Sequence, residues 1–212
     1  MLSMAPQRVI LFLDEKNIYM EARRAFFEWT DQDRLEGVVK PHHTRGQFHP
    51  IDLAELICSR LPYGVTEERK LREVRLYTGR PSATYEPKTY GAHMKQCLSW
   101  EAAGVTVIHR PLRYLSGHPP AQKGVDVALA LDFVIMAIEG EYDIGIIFST
   151  DTDLRPALEF IASRGCPKGE VACWWSDRSQ SYLSISNAKV WSHRLTEQAY
   201  KSICDYTDYN KS

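Results

Sequence analysis

No apolar run in this chain reaches the roughly 18–20 residues that a membrane-spanning helix needs, so no membrane partner is expected. Basic charge is not in excess either. Lys and Arg number 26 against 27 Asp and Glu, a formal net charge of −1. No global positive field advertises nucleic acid. That exclusion is narrow, because four acids gathered in one pocket would leave the rest of the surface net positive. The five cysteines, Cys58, Cys97, Cys166, Cys173 and Cys204, are scattered and form no C-x-x-C pair. They read as reduced, mostly packed thiols of a cytoplasmic protein. Residues 1–7 carry neither a basic n-region nor an apolar h-region, which agrees with a cytoplasmic location. The signatures of several chemistries are missing as well: no P-loop, no G-x-S-x-G, no H-E-x-x-H and no G-x-G-x-x-G after a strand.

What is present is an ordinary globular composition, 44% hydrophobic and 25% charged over 212 residues. That length makes one domain, or one with a large insertion, and suffices for a sizeable core. Residues 8–13 open with a solid apolar run, Val9-Ile10-Leu11-Phe12-Leu13, which suits a fully buried strand. Further strands are expected at 71–78, 105–109, 143–148 and 171–175, with an edge strand at 190–193. Helices are expected at 18–29 with Asn17 as N-cap, and at 51–61, 85–103, 124–139, 154–164 and 197–205. A short one is expected near 181–185. Strands alternating with helices indicate an α/β fold with a mainly parallel sheet. The helix at 124–139 is apolar nearly all round and is therefore expected to be buried. Val127, Leu131, Val134 and Ile138 form one face of it, and Leu129, Phe133 and Met136 extend that face. Residues 30–50 hold few apolar side chains and read as a long loop. Their histidines His42, His43 and His49, even with Cys58, fit no standard zinc spacing and read as surface residues. Of Trp174 and Trp175 at the end of the fifth strand, alternation sends one ring inward and the other out.

Acids stand at two strand exits: Asp14 after the first strand, and Asp151 with Asp153 after the fourth. In an open α/β sheet, ligands lie outside the carboxyl ends of the strands. If strands one and four are neighbours, these acids share one crevice. Asp126, in the first turn of the apolar helix leading into strand four, adds a third segment. Asp132 lies six residues on, about 240° around the helix, so it does not share the face of Asp126. Each acid has a plain alternative use as a helix cap or first-turn residue. Together they would repel one another unless a divalent cation joined them. Carboxylates and water are what Mg2+ or Mn2+ prefers.

These same residues resemble a known family. Phe12-Leu13-Asp14-Glu15-Lys16-Asn17-Ile18 resembles the "F-[IL]-D-x-x-N-[LI]" opening of NYN domains, PIN-like nuclease relatives. Residues 123–132, from Lys123-Gly124-Val125-Asp126 to Asp132, resemble the family's "K-G-V-D-V-x-L-x-x-D" helix. Phe148-Ser149-Thr150-Asp151-Thr152-Asp153-Leu154-Arg155-Pro156 resembles its "S-G-D-S-D-[FL]-x-P" turn, with Thr150 where glycine is usual. The three blocks occur in the family's order. The resemblance implies a three-layer α/β/α PIN-like fold with strand order 3-2-1-4-5. It implies one domain over 1–212, with an insertion at about 30–50 and a C-terminal extension from about 178. It also implies a metal-dependent ribonuclease with Asp14, Asp126, Asp151 and Asp153 as the acidic site.

The expected chemistry follows. Mg2+ or Mn2+ would be held by Asp14, Asp126 and Asp151, directly or through water, and would activate a water for in-line attack that leaves a 5′-phosphate and a 3′-hydroxyl. Asp153 positions a second metal or the water. Asn17, Lys123, Arg80, Ser149 and Thr152 are the expected substrate-binding residues. Arg110 and Arg113, like Arg80, are candidates for phosphate contacts. RNA is the expected partner, and a homodimer is allowed. The alternatives are a catalytically silent NYN domain that binds RNA or protein, and a structure-specific DNA nuclease.

Overall fold

The computed structural model describes residues 5–27, 44–62, 64–186 and 188–211. His42, His43, Trp29 and most of the 30–50 stretch lie outside them. The first strand, β1 (Gln7–Asp14), is followed by α1 (Glu15–Phe26), α2 (Pro50–Cys58) and β2 (Arg69–Arg80). Next come α3 (Pro87–Ala102), β3 (Thr106–Pro111), α4 (Val125–Ile138) and β4 (Ile144–Phe148). A short 3₁₀ helix (Thr152–Leu154) leads into α5 (Arg155–Arg164), and β5 (Lys168–Trp174), β6 (Trp191–Leu195) and α6 (Glu197–Ile203) close the chain.

The strands form one six-stranded sheet in the order β3-β2-β1-β4-β5-β6, and all of its pairings are parallel. The expected order 3-2-1-4-5 is therefore present with one strand more. Residues 190–193 anticipated that edge strand. The pairing on which the site depends is direct: β1 lies beside β4, with Leu13 opposite Phe148.

β1 is buried on both faces, which is why it reads as a continuous apolar run. Val9, Leu11 and Leu13 point into one core, with Ile18 and Ala22 of α1, Leu53 and Ile57 of α2, Cys97 and Trp100 of α3, and Tyr200 of α6. Ile10 and Phe12 point into the other, with Leu129 and Phe133 of α4 and Leu158 and Ile161 of α5. Two helical layers thus sandwich the sheet. Phe12 meets Phe133 and Tyr142 edge-on, with centroids 5.2 and 5.7 Å away. Such pairs contribute about 0.5–1.5 kcal/mol beyond the area they bury.

Three local expectations are corrected. The N-cap of α1 is Asp14, whose side chain accepts the Asn17 N–H; Asn17 itself sits inside the first turn. Helix α4 is not buried all round. Leu129, Phe133 and Ala137 are buried, whereas Val127, Leu131, Ile135 and Ile138 are 45–57% exposed. Only one helical layer covers that face of the sheet, so nothing among the described residues packs over its outer side. No helix forms at 181–185; that segment is irregular. The two tryptophans divide as alternation requires. Trp174 is buried and donates its indole N–H to the Ile18 carbonyl at 2.9 Å. Trp175 is half-buried, with the Arg194 guanidinium 4.1 Å from its ring centre. Among the described residues, no helix is long and apolar enough to cross a membrane.

Candidate functional site

β1 and β4 end side by side, and their exits carry Asp14 and the Ser149-Thr150-Asp151 turn. Asp14 is 8% exposed. Its Oδ1 accepts the Asn17 backbone N–H at 3.2 Å and its Oδ2 accepts the Ser149 hydroxyl at 3.2 Å. Ser149 Oγ in turn accepts the Asp151 N–H at 3.1 Å. One fully buried hydroxyl therefore ties the two strand-end acids together. Asp151 Oδ1 accepts the Asp153 N–H at 3.0 Å and so caps the 3₁₀ helix. Both acids cap a helix, as the plain alternative held, and both also face the crevice.

Asn17 fixes the crevice from the opposite side. Its Oδ1 accepts the Thr150 N–H at 3.1 Å, and its Nδ2 donates to Thr150 Oγ1 at 3.3 Å. Its backbone holds Asp14 while its side chain clamps the turn after β4, so one residue sets the spacing of the two strand exits. Thr150, where the family prefers glycine, supplies the hydroxyl of this clamp.

Helix α4 delivers the third acid. Gly124 precedes the helix at φ +73°, a left-handed turn suited to glycine, and Asp126 follows in the first turn. Asp14, Asp126 and Asp151 line one pocket of about 170 Å³ together with Gln122 and Val125. An adjoining pocket of about 240 Å³ is lined by Asp14, Asp151, Lys16, Asn17, Met20, Glu21 and Gln122. The N-termini of α1, α4 and the 3₁₀ helix all open here, and their dipoles offset part of the negative charge.

The offset is incomplete. Burial pushes the Asp14 carboxyl up to about 6; the Asn17 N–H and the Ser149 hydroxyl pull it down, and the charges of Asp151 and Asp126 push it further up. Its neighbour Glu15 is raised to about 7, again by burial first. Glu15 accepts the Thr78 hydroxyl at 3.1 Å on the other side of β1. Oxygen donors that repel one another across a small pocket fit a hard divalent cation such as Mg2+ or Mn2+. Asp14, Asp126 and Asp151 could hold it, directly or through water.

The other expected site residues are placed less centrally. Asp153 and Thr152 are exposed in the 3₁₀ turn, and Lys123 is exposed just before α4; none of the three lines these two pockets. Arg80 is exposed at the end of β2 and lines a separate pocket with Tyr90 and Pro111. Asp132 is engaged elsewhere: it accepts Arg75 Nη2 and the Tyr77 hydroxyl, each at 2.8 Å, and ties α4 to β2. Lys16 and Gln122, which line the pockets, escaped sequence reasoning. The first lies two positions after Asp14, and its place in the chain was the one signal for it. Gln122 packs against Gly79, where a Cβ would come within 2.6 Å of Gln122 Cγ and 2.5 Å of Leu112 Cδ2. The missing side chain lets the loop before α4 close over the end of β2.

The fold has a counterpart among solved structures. A crystal structure of a protein of unknown function from Vibrio parahaemolyticus aligns over 88% of this chain and 98% of its own, with a TM-score of 0.52 and 17% identity. That likeness concerns the fold alone. No curated protein matches the chain. The sequence profile of the NYN domain matches residues 8–183, a span that contains every acid of the crevice. With the parallel sheet, the adjacency of β1 and β4 and the three converging carboxylates, this match places the chain in the NYN domain family of PIN-like nuclease domains.

Proposed function

We propose that this NYN domain is a ribonuclease that hydrolyses RNA phosphodiester bonds with Mg2+ or Mn2+ held by Asp14, Asp126 and Asp151. One observation carries the reading: three acids from three separate segments line one small pocket at the carboxyl edge of the sheet. Bound there, such a cation supplies Lewis acidity, a lowered water pKa and charge neutralisation for a phosphate.

The chain's own groups do the rest. Ser149 orients Asp14 and Asp151 by one donated and one accepted hydrogen bond. Asn17 holds the Thr150 turn, so that the two acids keep their separation. Lys16, exposed on the rim of the adjoining pocket, meets the phosphate that enters there. Gln122 offers an amide to both pockets. Asp153, through its N–H, keeps Asp151 aimed. The exposed Lys123, Arg80 and Thr152 serve phosphates and sugars flanking the scissile bond, contacts that position a strand without reading its sequence. The products are a 5′-phosphate and a 3′-hydroxyl.

Labelled single-stranded RNA incubated with the protein and Mn2+ or Mg2+ tests the reading. Cleavage is expected to vanish with EDTA and to fall at least a hundredfold in Asp151→Asn. Cleavage that survives both treatments overturns it. Stabilisation by Mn2+ without cleavage of RNA would favour the silent binding module instead. Preferential cutting of branched DNA would favour the DNA nuclease, since hydrolysis at this site has no need of the 2′-hydroxyl.

A further inference from the structure

A second cluster of ligating side chains lies between α3 and the edge strand β3. His93 and Cys97 are four residues apart on α3 and so share a helix face; Cys97 Sγ is 3.4 Å from His93 Nε2. His109 stands on β3, opposite Thr78 of β2, and its ring centre is 5.7 Å from that of His93. One ligand atom from each of the three residues lies within 4.8 Å of the other two. Cys97 is fully buried, and both rings are partly so. His109 Nδ1 is buried and has no hydrogen-bond partner among the described residues. In a folded protein such a buried orphan calls for an explanation.

We propose that His93, Cys97 and His109 form a binding site for one zinc-class divalent cation, distinct from the carboxylate crevice. Two imidazoles and a thiolate are donors for Zn2+ or Co2+ and poor donors for Mg2+ or Mn2+. Zn–N and Zn–S bonds of about 2.0–2.3 Å in a tetrahedron separate the donors by roughly 3.3–3.6 Å. The sulfur and Nε2 already stand at that separation, and the third donor, within 4.8 Å of both, needs to close by at most about an ångström, within the reach of a histidine χ rotation.

The surroundings suit the ligand chemistry in two respects and oppose it in one. Burial pulls His93 down to about 4, with help from His109 and Arg80, and burial also lowers His109, so both rings are neutral and free to ligate. The charges of Glu15 and Glu101 reach Cys97, and a cation beside the sulfur would be drawn to them. Against this, burial keeps the Cys97 thiol protonated, pushed up to about 12. Binding must therefore expel the thiol proton to solvent, and the S–H bond is exchanged for a metal–sulfur bond. With three protein donors, the fourth position falls to water. The cation would pin α3 to β3, the edge strand of the sheet among the described residues.

Titration of the full chain with Co2+ under reducing conditions tests this site. The expected result is a near-ultraviolet thiolate-to-cobalt charge-transfer band with tetrahedral visible bands, of an amplitude matching one cobalt–thiolate site per chain and displaced by Zn2+; Co2+ taken by the carboxylate crevice gives no such charge-transfer band. The charge-transfer band should vanish in Cys97→Ser, persist in Cys166→Ser, whose sulfur is exposed, and persist in Asp151→Asn. His93→Gln, at a partly exposed ring, removes one ligand without touching the buried sulfur. It should weaken binding at least tenfold, and it decides the matter if Cys97→Ser fails to fold. Absence of the band in the wild-type protein, its survival in Cys97→Ser, or unchanged affinity in His93→Gln overturns the site. Loss of the band in Asp151→Asn overturns its independence from the crevice.

Discussion

Asp14 serves two ends that conflict. As a cap it needs only an oxygen, and as a crevice acid it needs a charge that burial and Asp151 and Asp126 oppose. Asp14→Asn separates them, because Asn caps as well as Asp. In EDTA the variant should be more stable than wild type by about 1–3 kcal/mol, taking one pKa unit as about 1.4 kcal/mol. Mn2+ should raise the melting temperature of wild type and leave that of the variant unmoved. Differential scanning calorimetry with and without Mn2+ reads both effects. The pH dependence has a definite sign. Asp14 and Glu15 bind protons more tightly folded than unfolded, raised to about 6 and about 7. The stability they contribute is fully present below about pH 4 and is lost as pH rises through 6 and 7. Metal-free protein should therefore lose stability between about pH 4.5 and 7.5, while Mn2+ affinity rises over the same window. Thermal melts across that range show a flat or rising profile if the two acids are not perturbed. At this scale the sequence was partly legible. A carboxylate at a strand exit is visible in the letters Leu13-Asp14 and Phe148-Ser149-Thr150-Asp151. That Asp14 and not Asn17 caps α1 was not visible, since both residue types cap well. Nor was the hydrogen bond that Glu15 accepts from Thr78 of β2, a partner set by the pairing of β1 with β2.

The elements that frame the crevice are joined by few side chains. Asn17→Ala removes every side-chain bond to Thr150 and spares the backbone bond to Asp14. It should lower Mn2+ affinity by about tenfold to a hundredfold, the usual effect of losing a group that orients ligands, as isothermal titration would measure. Unchanged affinity would mean that the turn after β4 holds itself. Helix α4 shows where periodicity misleads. Its sequence is apolar nearly all round, yet the sheet covers one face and nothing among the described residues packs over the other. Leu129→Ala, in the core, should cost about 2–5 kcal/mol, whereas Leu131→Ala, 54% exposed, should stay within about 0.5–1 kcal/mol. Urea unfolding of the two variants measures the difference, and equal losses would show that the outer face is covered. The pairing of β1 with β4 was legible only as a condition, because register and neighbours are set by long-range contacts. The i, i+4 spacing of His93 and Cys97 could be read from the chain, but their partner His109 needed the fold.

Across the whole molecule, one buried network ties distant strands. Arg69 at the start of β2 meets Glu170 of β5 through two bonds of 2.9 and 2.7 Å, and His193 of β6 adds a third of 2.7 Å. These side chains span β1 and β4 beneath the core, at the end of the sheet away from the acids. Glu170→Gln leaves the Arg69 charge buried without its counter-ion and should destabilise the fold by about 3–5 kcal/mol. A loss below about 1 kcal/mol, measured by urea unfolding, would mean that water reaches the network. The sheet held in this way brings three carboxylates from three segments to one edge, and the proposed chemistry rests on that convergence. Anomalous diffraction from a crystal soaked in Mn2+ tests it most directly. The expected result is a manganese peak coordinated by oxygens of Asp14, Asp126 and Asp151, absent in Asp151→Asn. A crystal with no peak in that crevice, or with manganese held only by other residues, would contradict it.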